Sequence, residues 1–437
     1  MEERHETVIV GGGHAGLAMS HQLSRRGRAH VVLERGRVAE RWRSERWDSL
    51  HFQFPNWSLA LPGQPYDGPH PDAFSSREEV VAFIERYCAV TAAPVRTGVR
   101  VDAIRPAPGA DGFRLETSHG LLAASNVVVA TGPYQEPVIP PPAGALPPRV
   151  TQVHSSAYRN PSRMPPGAVL VVGSGASGCQ IVEDLLAAGR TVYLSVGRHR
   201  RFPRRYRGRD MFWWMERMGA LDQTLEERPE ARERPNPLVT GVGGGHDIDL
   251  RHYAARGAIL LGRLEGVEGS RLWLADDLAE QLARGDEGVA AFTRSVDAYV
   301  ARAGLAAPEE ATPEPPPPVA TGAPIRTIDL DAASIGTVIW ATGFRRDFGW
   351  IHLPVLDEHG EPIHRRGVTR CPGLYFLGLP WLHTLKSSVL CGVGRDADHL
   401  AEHIASRPDA PALSPTVSPT VSPTLSPTLS PTLRRTW

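Results

Sequence analysis

Two glycine-rich hexapeptides stand 162 residues apart in this chain of 437 residues, Gly11-Gly12-Gly13-His14-Ala15-Gly16 and Gly173-Ser174-Gly175-Ala176-Ser177-Gly178. Each follows a run of β-branched residues and opens an amphipathic helical pattern, the context in which such a turn holds a dinucleotide. Gly11 permits the tight turn, Gly13 lets backbone approach a pyrophosphate, and Gly16 lets helix pack on strand; Gly173, Gly175 and Gly178 repeat the spacing. The first helical turns, with His14 and Ala15 in one copy and Ser177 in the other, direct N–H donors at the phosphates.

The next strand ends differently in the two copies. Glu34, 23 residues after Gly11 and followed by Arg35, is a carboxylate that accepts from a ribose diol. Ser195, 22 residues after Gly173, leads into Arg198, Arg200 and Arg201. An acid there would repel a 2′-phosphate, whereas a hydroxyl and guanidinium groups bind one. We therefore expect the second turn to take NADPH and, by analogy with other chains carrying two such turns, the first to take FAD, so that hydride passes between them. The run from Arg198 to Arg209 holds seven arginines with Phe202 and Tyr206 between them. Phosphate binding ranks first among its readings, a solvated basic face second and nucleic-acid binding last.

Positioning these turns requires a β-α-β unit around each. Thr7–Val10, a helix over Leu17–Arg26 ended by Gly27, and Val31–Glu34 make the first. Val169–Val172, a helix with Ile181/Leu185 and Val182/Leu186 pairs, and Thr191–Ser195 make the second. Two echoes, Ala130-Thr131-Gly132 and Ala341-Thr342-Gly343, end further β-branched runs and mark chain crossings. The expected class is α/β, with two Rossmann-like domains and the NADPH domain inserted into a discontinuous FAD domain. The spans are 1–150 and 331–408 for the FAD domain, 151–330 for the NADPH domain, and 409–437 for a disordered tail of Ser-Pro-Thr repeats. A stiff connection is expected over Pro308–Pro324, where four prolines run from Pro315 to Pro318.

Composition excludes several classes. The 48 basic and 48 acidic residues cancel, so no whole-chain field favours nucleic acid or an anionic membrane. Lys386 is the sole lysine, and the four cysteines (Cys88, Cys179, Cys371, Cys391) form no Cys-x-x-Cys pair and no metal-ligand spacing, which argues against dithiol chemistry and a metal site. No apolar run is long enough to span a bilayer, so a protein of a reducing cytoplasm is expected. A homodimer is one oligomeric state the sequence allows.

Gly11–Gly16, Glu34-Arg35, Trp42-Arg43, Arg46-Trp47-Asp48-Ser49-Leu50, Ala130-Thr131-Gly132, His154 with Tyr158, Gly173–Gly178, Ala341–Phe344 and Pro372–Gly378 together resemble a class B flavoprotein monooxygenase. The similarity covers most of residues 5–405 and runs closest to YUCCA-type enzymes and to bacterial flavoproteins often described as involved in potassium transport. It departs at the group's fingerprint, where Pro148 and Val150 stand in the places of Phe and Gly. The resemblance implies FAD and NADPH as cofactors, Trp42 and Trp47 beside the flavin, dioxygen and a small molecule as substrates, and a flavin peroxide that transfers one oxygen in an N- or S-oxygenation or related oxidation. Baeyer–Villiger oxygenation of a carbonyl, and an NADPH-dependent flavin reductase serving a carrier, are the alternative enzymes. A non-catalytic, redox-sensing regulator of cation transport is the alternative from another class. His154, Asn56 and Gln53 are the candidate catalytic residues, with His154 better read as a linker between domains.

Three motifs stay open. Phe212-Trp213-Trp214-Met215 reads as core packing or as a substrate entrance; Gly241–Gly245 as a surface loop or a lid hinge; and Gly392-Val393-Gly394 as a helix start or as N–H donors beside the flavin.

Overall fold

The computed structural model describes residues 3–108, 112–230, 234–309 and 324–407. The Ser-Pro-Thr tail and most of the Pro308–Pro324 connection lie outside these residues.

Five parallel strands form the centre of the first sheet. In chain order they are β1 (Glu3–Val10), β2 (His30–Glu34), β3 (Val95–Thr97), β4 (Gly120–Val129) and, after a long excursion, β12 (Leu374–Phe376). Their spatial order is β12-β4-β1-β2-β3. Helix α1 (His14–Ser24) connects β1 to β2, and Gly27 beyond it adopts a positive φ, as the sequence suggests. Helix α2 (Arg77–Val90) starts on a capping box in which Ser76 and Glu79 satisfy each other's backbone N–H groups.

The second sheet repeats this plan. Strands β6 (Thr151–His154), β7 (Ala168–Val172), β8 (Val192–Ser195), β9 (Ile259–Leu261) and β10 (Ile335–Trp340) lie parallel in the order β6-β10-β7-β8-β9. Every residue of β7 is buried, as a central parallel strand covered on both faces must be. Helix α3 (Ala176–Ala187) follows β7 as α1 follows β1. Between β8 and β10 come the short helix α4 (Met211–Arg217) and the helix α5 (Leu278–Ala303), 26 residues long. No helix among the described residues is long and apolar enough to cross a membrane.

The crossings fall where the Ala-Thr-Gly echoes place them. Strand β5 (Glu136–Pro137) leaves the first layer, β11 (Phe344–Arg345) returns to it, and the two pair antiparallel as a narrow ribbon. This corrects the expected boundaries of 150/151 and 330/331. Residues 143, 146 and 150 already pack in the core of the second sheet, and β10 lies between β7 and β6. The insert therefore runs from about 139 to 342.

An ion cluster around the buried amine of Lys386 joins the insert to the last segment of the first layer. Lys386 is 4% exposed and donates to Glu216 at the end of α4 at 3.2 Å, and its Nζ lies 2.9 Å from Asp222. Arg395, in helix α6 (Val393–Ala405), also reaches Asp222 at 2.6 Å. Because Lys386 is the sole lysine, acylation of its amine reports whether this contact opens. Native protein treated with an amine-reactive ester should acylate Lys386 far more slowly than unfolded protein, and the Glu216→Gln/Asp222→Asn double variant should narrow that gap in peptide mass spectra. Equal rates in native and unfolded protein would refute the closed contact.

Candidate functional site

The two glycine turns face one cleft of about 1570 Å³ between the sheets. That volume exceeds the range of about 300–1,000 Å³ for a site holding one drug-sized ligand.

At the first turn, Gly11 has φ +115°, and a β-carbon on it would lie 2.5 Å from the Ala130 carbonyl oxygen. A β-carbon on Gly16 would lie 1.9 Å from the Gly11 oxygen. The second turn repeats both contacts, Gly173 against the Ala341 oxygen at 2.5 Å and Gly178 against the Gly173 oxygen at 1.9 Å. Gly13 and Gly175 differ from these, since added β-carbons there would meet nothing within 4 Å and both residues line the cleft. They are also the N-caps of α1 and α3, and neither helix has a side-chain cap, so the first-turn N–H groups remain available to an anion in the cleft.

Glu34 reaches back to this turn. One carboxylate oxygen accepts from Gly12 N at 2.7 Å and the other from Gly36 N at 2.8 Å. A carboxylate has about four acceptor positions, so two remain for a ribose diol. Arg35, Trp42, Thr131 and Gly132 line the cleft beside it, as do Ala15 and Ala130. Two buried nitrogens in this wall lack partners among the described residues, the indole Nε1 of Trp47 and Nε2 of His14. Burial holds the His14 imidazole neutral, lowering its pKa to about 4 against a smaller opposing effect from the Ser388 backbone. Uncapped donors, open glycine positions and orphaned cleft-facing nitrogens fit a flavin dinucleotide here and a second dinucleotide at the other turn.

The second turn is lined by different side chains. Ser177, Arg198, Ala341 and Gly343 line the cleft. Ser195 does not: its hydroxyl is buried, donates to Gly262 O at 3.1 Å and accepts from Leu264 N at 2.9 Å. Arg201 is likewise consumed by Asp249 at 2.7 Å and Asp286 at 2.6 Å. Arg198 alone of the three is exposed and has no ion pair among the described residues. It also borders a pocket of about 560 Å³ with Arg263, Asp277, Glu280, Gln281 and Arg284, in which Arg263 is paired with Asp277 and Arg284 with Glu280. Gln281 is 4% exposed, and its Oε1 has no partner. Sequence reasoning missed these residues because they lie 65 to 86 positions beyond Arg198 and carry no motif. Elsewhere the arginine run serves as internal staples, with Arg204 on Asp210 at 2.8 Å, Arg205 on the Gly244 and Gly245 carbonyls, and Arg207 on Asp297 at 2.6 Å.

Two candidate catalytic residues are also reassigned. Asn56 lies outside the cleft lining and is fully engaged, accepting from Ser75 N at 2.7 Å while its amide donates to His70 O at 3.0 Å and Tyr66 Oη at 3.3 Å. It pins a loop. His154 accepts from Ser156 N at Nδ1, so Nε2 carries the proton and donates to Gly343 O at 3.0 Å. Burial keeps the ring neutral, and it packs edge-on against Phe344. It fastens the return crossing, in keeping with its reading as a linker. Beside it in the fingerprint, Tyr158 is buried and donates to Asp184 at 2.7 Å. The Thr342 hydroxyl donates to the Val138 carbonyl, another tie across the ribbon. Gln53 does line the cleft, and its backbone oxygen accepts from Arg204 at 2.8 Å.

The open motifs divide by face. Met211, Phe212 and Met215 line the cleft, whereas Trp214 is core and donates to Tyr206 O at 2.7 Å. Gly241 and Gly245 pack against Phe52 and Phe74. The lining ends at Leu390, just before α6.

Two dinucleotide-type modules opening on one cleft define an α/β oxidoreductase. The family model for pyridine nucleotide-disulphide oxidoreductases matches residues 8–209. A CzcO-like oxidoreductase of Geobacillus kaustophilus, itself uncharacterised, is 32% identical over 405 residues, covering 92% of this chain and 98% of its own. The indole-3-pyruvate monooxygenase YUCCA1 of Oryza sativa is 35% identical over 196 residues, covering 43% of this chain and 48% of its own. A solved flavin-containing monooxygenase from Stenotrophomonas maltophilia superposes with a TM-score of 0.62 at 20% identity, covering 92% of this chain and 98% of that one. The chain belongs to the CzcO-like oxidoreductases, and its fold is that of the flavin-containing monooxygenases.

Two predictions follow from the turn geometry. Gly16→Ala should lower the melting temperature by roughly 5–10 °C through overpacking. Gly13→Ala should leave it within about 2 °C yet weaken flavin binding about tenfold, because its β-carbon enters the cleft rather than the core. Thermal denaturation and flavin titration separate these outcomes. The second prediction concerns pH. The folded state resists protonating His14 while the unfolded chain takes up that proton below about pH 6.5. Stability is therefore full above that value and falls as pH drops toward 4, and His14→Gln should flatten this fall in denaturant midpoints.

Proposed function

We propose that this chain is an NADPH-dependent FAD monooxygenase that transfers one atom of dioxygen to a small molecule, in an N- or S-oxygenation or related oxidation. The observation that carries the reading is the pairing of two uncapped glycine cradles on one cleft, with the crossing ribbon between the modules that hold them. The reaction balances as NADPH, a proton, dioxygen and substrate giving NADP⁺, water and oxygenated substrate. FAD supplies hydride acceptance and oxygen activation when bound.

The chain's own residues bind and orient. The N–H groups at Gly13–Ala15 would hold the flavin pyrophosphate, Glu34 would take its ribose diol, and Trp42 and Trp47 would flank it. At the second turn, the N–H groups at Gly175–Ser177 would hold the NADPH pyrophosphate, and Arg198, which has no ion pair among the described residues, would receive the 2′-phosphate. His154 and Thr342 fix the crossing that holds the modules at their mutual distance. The buried Met211 and Phe212 would exclude water from the apolar end of the cleft.

Disulfide reduction, which the family model's name suggests, lacks the same support. None of the four cysteines lines the cleft, and burial pushes the Cys391 thiol up to about 11.

The purified protein should carry flavin and consume oxygen with NADPH; absence of both rejects the proposal. Arg198→Ala should raise the Michaelis constant for NADPH about tenfold or more, the loss of one charge-assisted contact, and leave that for NADH within about twofold. Ser195→Ala should leave the ratio unchanged, since its hydroxyl serves backbone at Gly262 and Leu264. Equal effects of Arg198→Ala on both nucleotides would reject the phosphate assignment.

A further inference from the structure

Charged residues line much of the cleft, among them Glu34, Arg35, Arg46, Arg198 and Arg345. Another part of the wall is built otherwise. Met211, Phe212, Met215 and Leu221 pack as one apolar cluster with Phe54 and Val389, and all six line the cleft. Phe54 stacks on Phe212 with ring centres 4.3 Å apart and planes 28° apart. Phe212 is 1% exposed and Met215 7% exposed, so this end is shielded from water as well as apolar.

Three cations attached to this part of the wall are already committed. Lys386, next to the cleft-lining Leu385, is held by Glu216 and Asp222. Arg204, whose Nη1 donates to the Gln53 carbonyl, pairs with Asp210 and lies over the Phe74 ring at 4.5 Å. Arg395 is taken by Asp222. A carboxylate entering this chamber would lose its water, and none of these three cations is open to pair with it; an unpaired buried charge is strongly disfavoured. A flat aromatic ring meets stacked phenyl faces and methionine thioethers, both of which favour it. Gln53 is an uncharged polar residue of the adjoining wall whose side-chain amide has no hydrogen bond among the described residues, so it is available to one polar atom of the guest.

We propose that the substrate is an uncharged aromatic molecule, seated against Phe54 and Phe212 with its polar atom toward Gln53, and not an amino acid, 2-oxo acid or other carboxylate. This rests on the monooxygenase reading above. The test uses the flavin-loaded protein and two matched pairs of probes, methyl phenyl sulfide against 4-(methylthio)benzoate and phenylacetone against phenylpyruvate. Binding is read from perturbation of the flavin absorbance, and products are identified by mass spectrometry.

Each neutral probe should bind at least tenfold more tightly than its carboxylate partner. Phe212→Leu, which keeps the apolar volume and removes the ring, should weaken neutral-probe binding about threefold to tenfold. Carboxylates that bind as tightly as the neutral probes, failure of both neutral aromatics to bind, or unchanged affinity in a folded Phe212→Leu protein would overturn the inference. A protein that carries flavin and oxidises NADPH yet prefers carboxylates defeats this substrate class alone. One that carries no flavin and consumes no oxygen defeats the reading beneath it.

Discussion

At each glycine turn a strand-end alanine carbonyl, Ala130 in one sheet and Ala341 in the other, presses to within 2.5 Å of where a β-carbon would stand on Gly11 or Gly173. Only a residue without a side chain admits that approach, and the positive φ at both glycines restricts the position further. Much of the molecule depends on this contact. It sets the helix N-terminus against the cleft, and the same two alanines are the last residues before the chain crosses between layers. One close approach, made twice, therefore fixes both the cradles and the points where the insert leaves and returns.

Because the crossings start at the cradles, the ribbon of Glu136–Pro137 with Phe344–Arg345 lies between the modules and sets their spacing. Neutral His154 and the Thr342 hydroxyl bind the strands of one module to the carbonyls of the other crossing. On another border, the Lys386 cluster closes the insert onto the segment preceding α6. Between these attachments the cleft divides by polarity, with charge where strands end at the glycine turns and aromatic and thioether groups where α4 meets Phe54. The arginine run takes its place in this division. Most of its guanidinium groups staple the insert internally, which leaves Arg198 to face the second cradle.

The strands and both β-α-β units are legible in the residues because their signals are local: β-branched runs, a glycine spacing and i,i+4 apolar pairs. The insertion was legible too, from the two Ala-Thr-Gly echoes. Its boundaries were not. The run Ile335–Trp340 suits a central strand in either sheet, and only pairing with β6 and β7 assigns it to the insert. Site residues divide the same way. Glu34 was readable from its offset because its partners, Gly12 and Gly36, lie in the same unit. Ser195 and Arg201 were misread because the groups that consume them, Gly262 with Leu264 and Asp249 with Asp286, are brought in by distant segments.

By itself, then, the sequence determined the class of fold and the two glycine turns with their unlike strand-end residues, since short-range backbone geometry and residue type suffice for these. Tertiary structure decided which arginine remains free, which polar residues are pins rather than catalysts, and where the cleft turns from charged to apolar. Those are outcomes of competition. A guanidinium or hydroxyl serves a ligand only if no carboxylate or carbonyl folded beside it has satisfied it first, and packing alone settles which groups come within that reach.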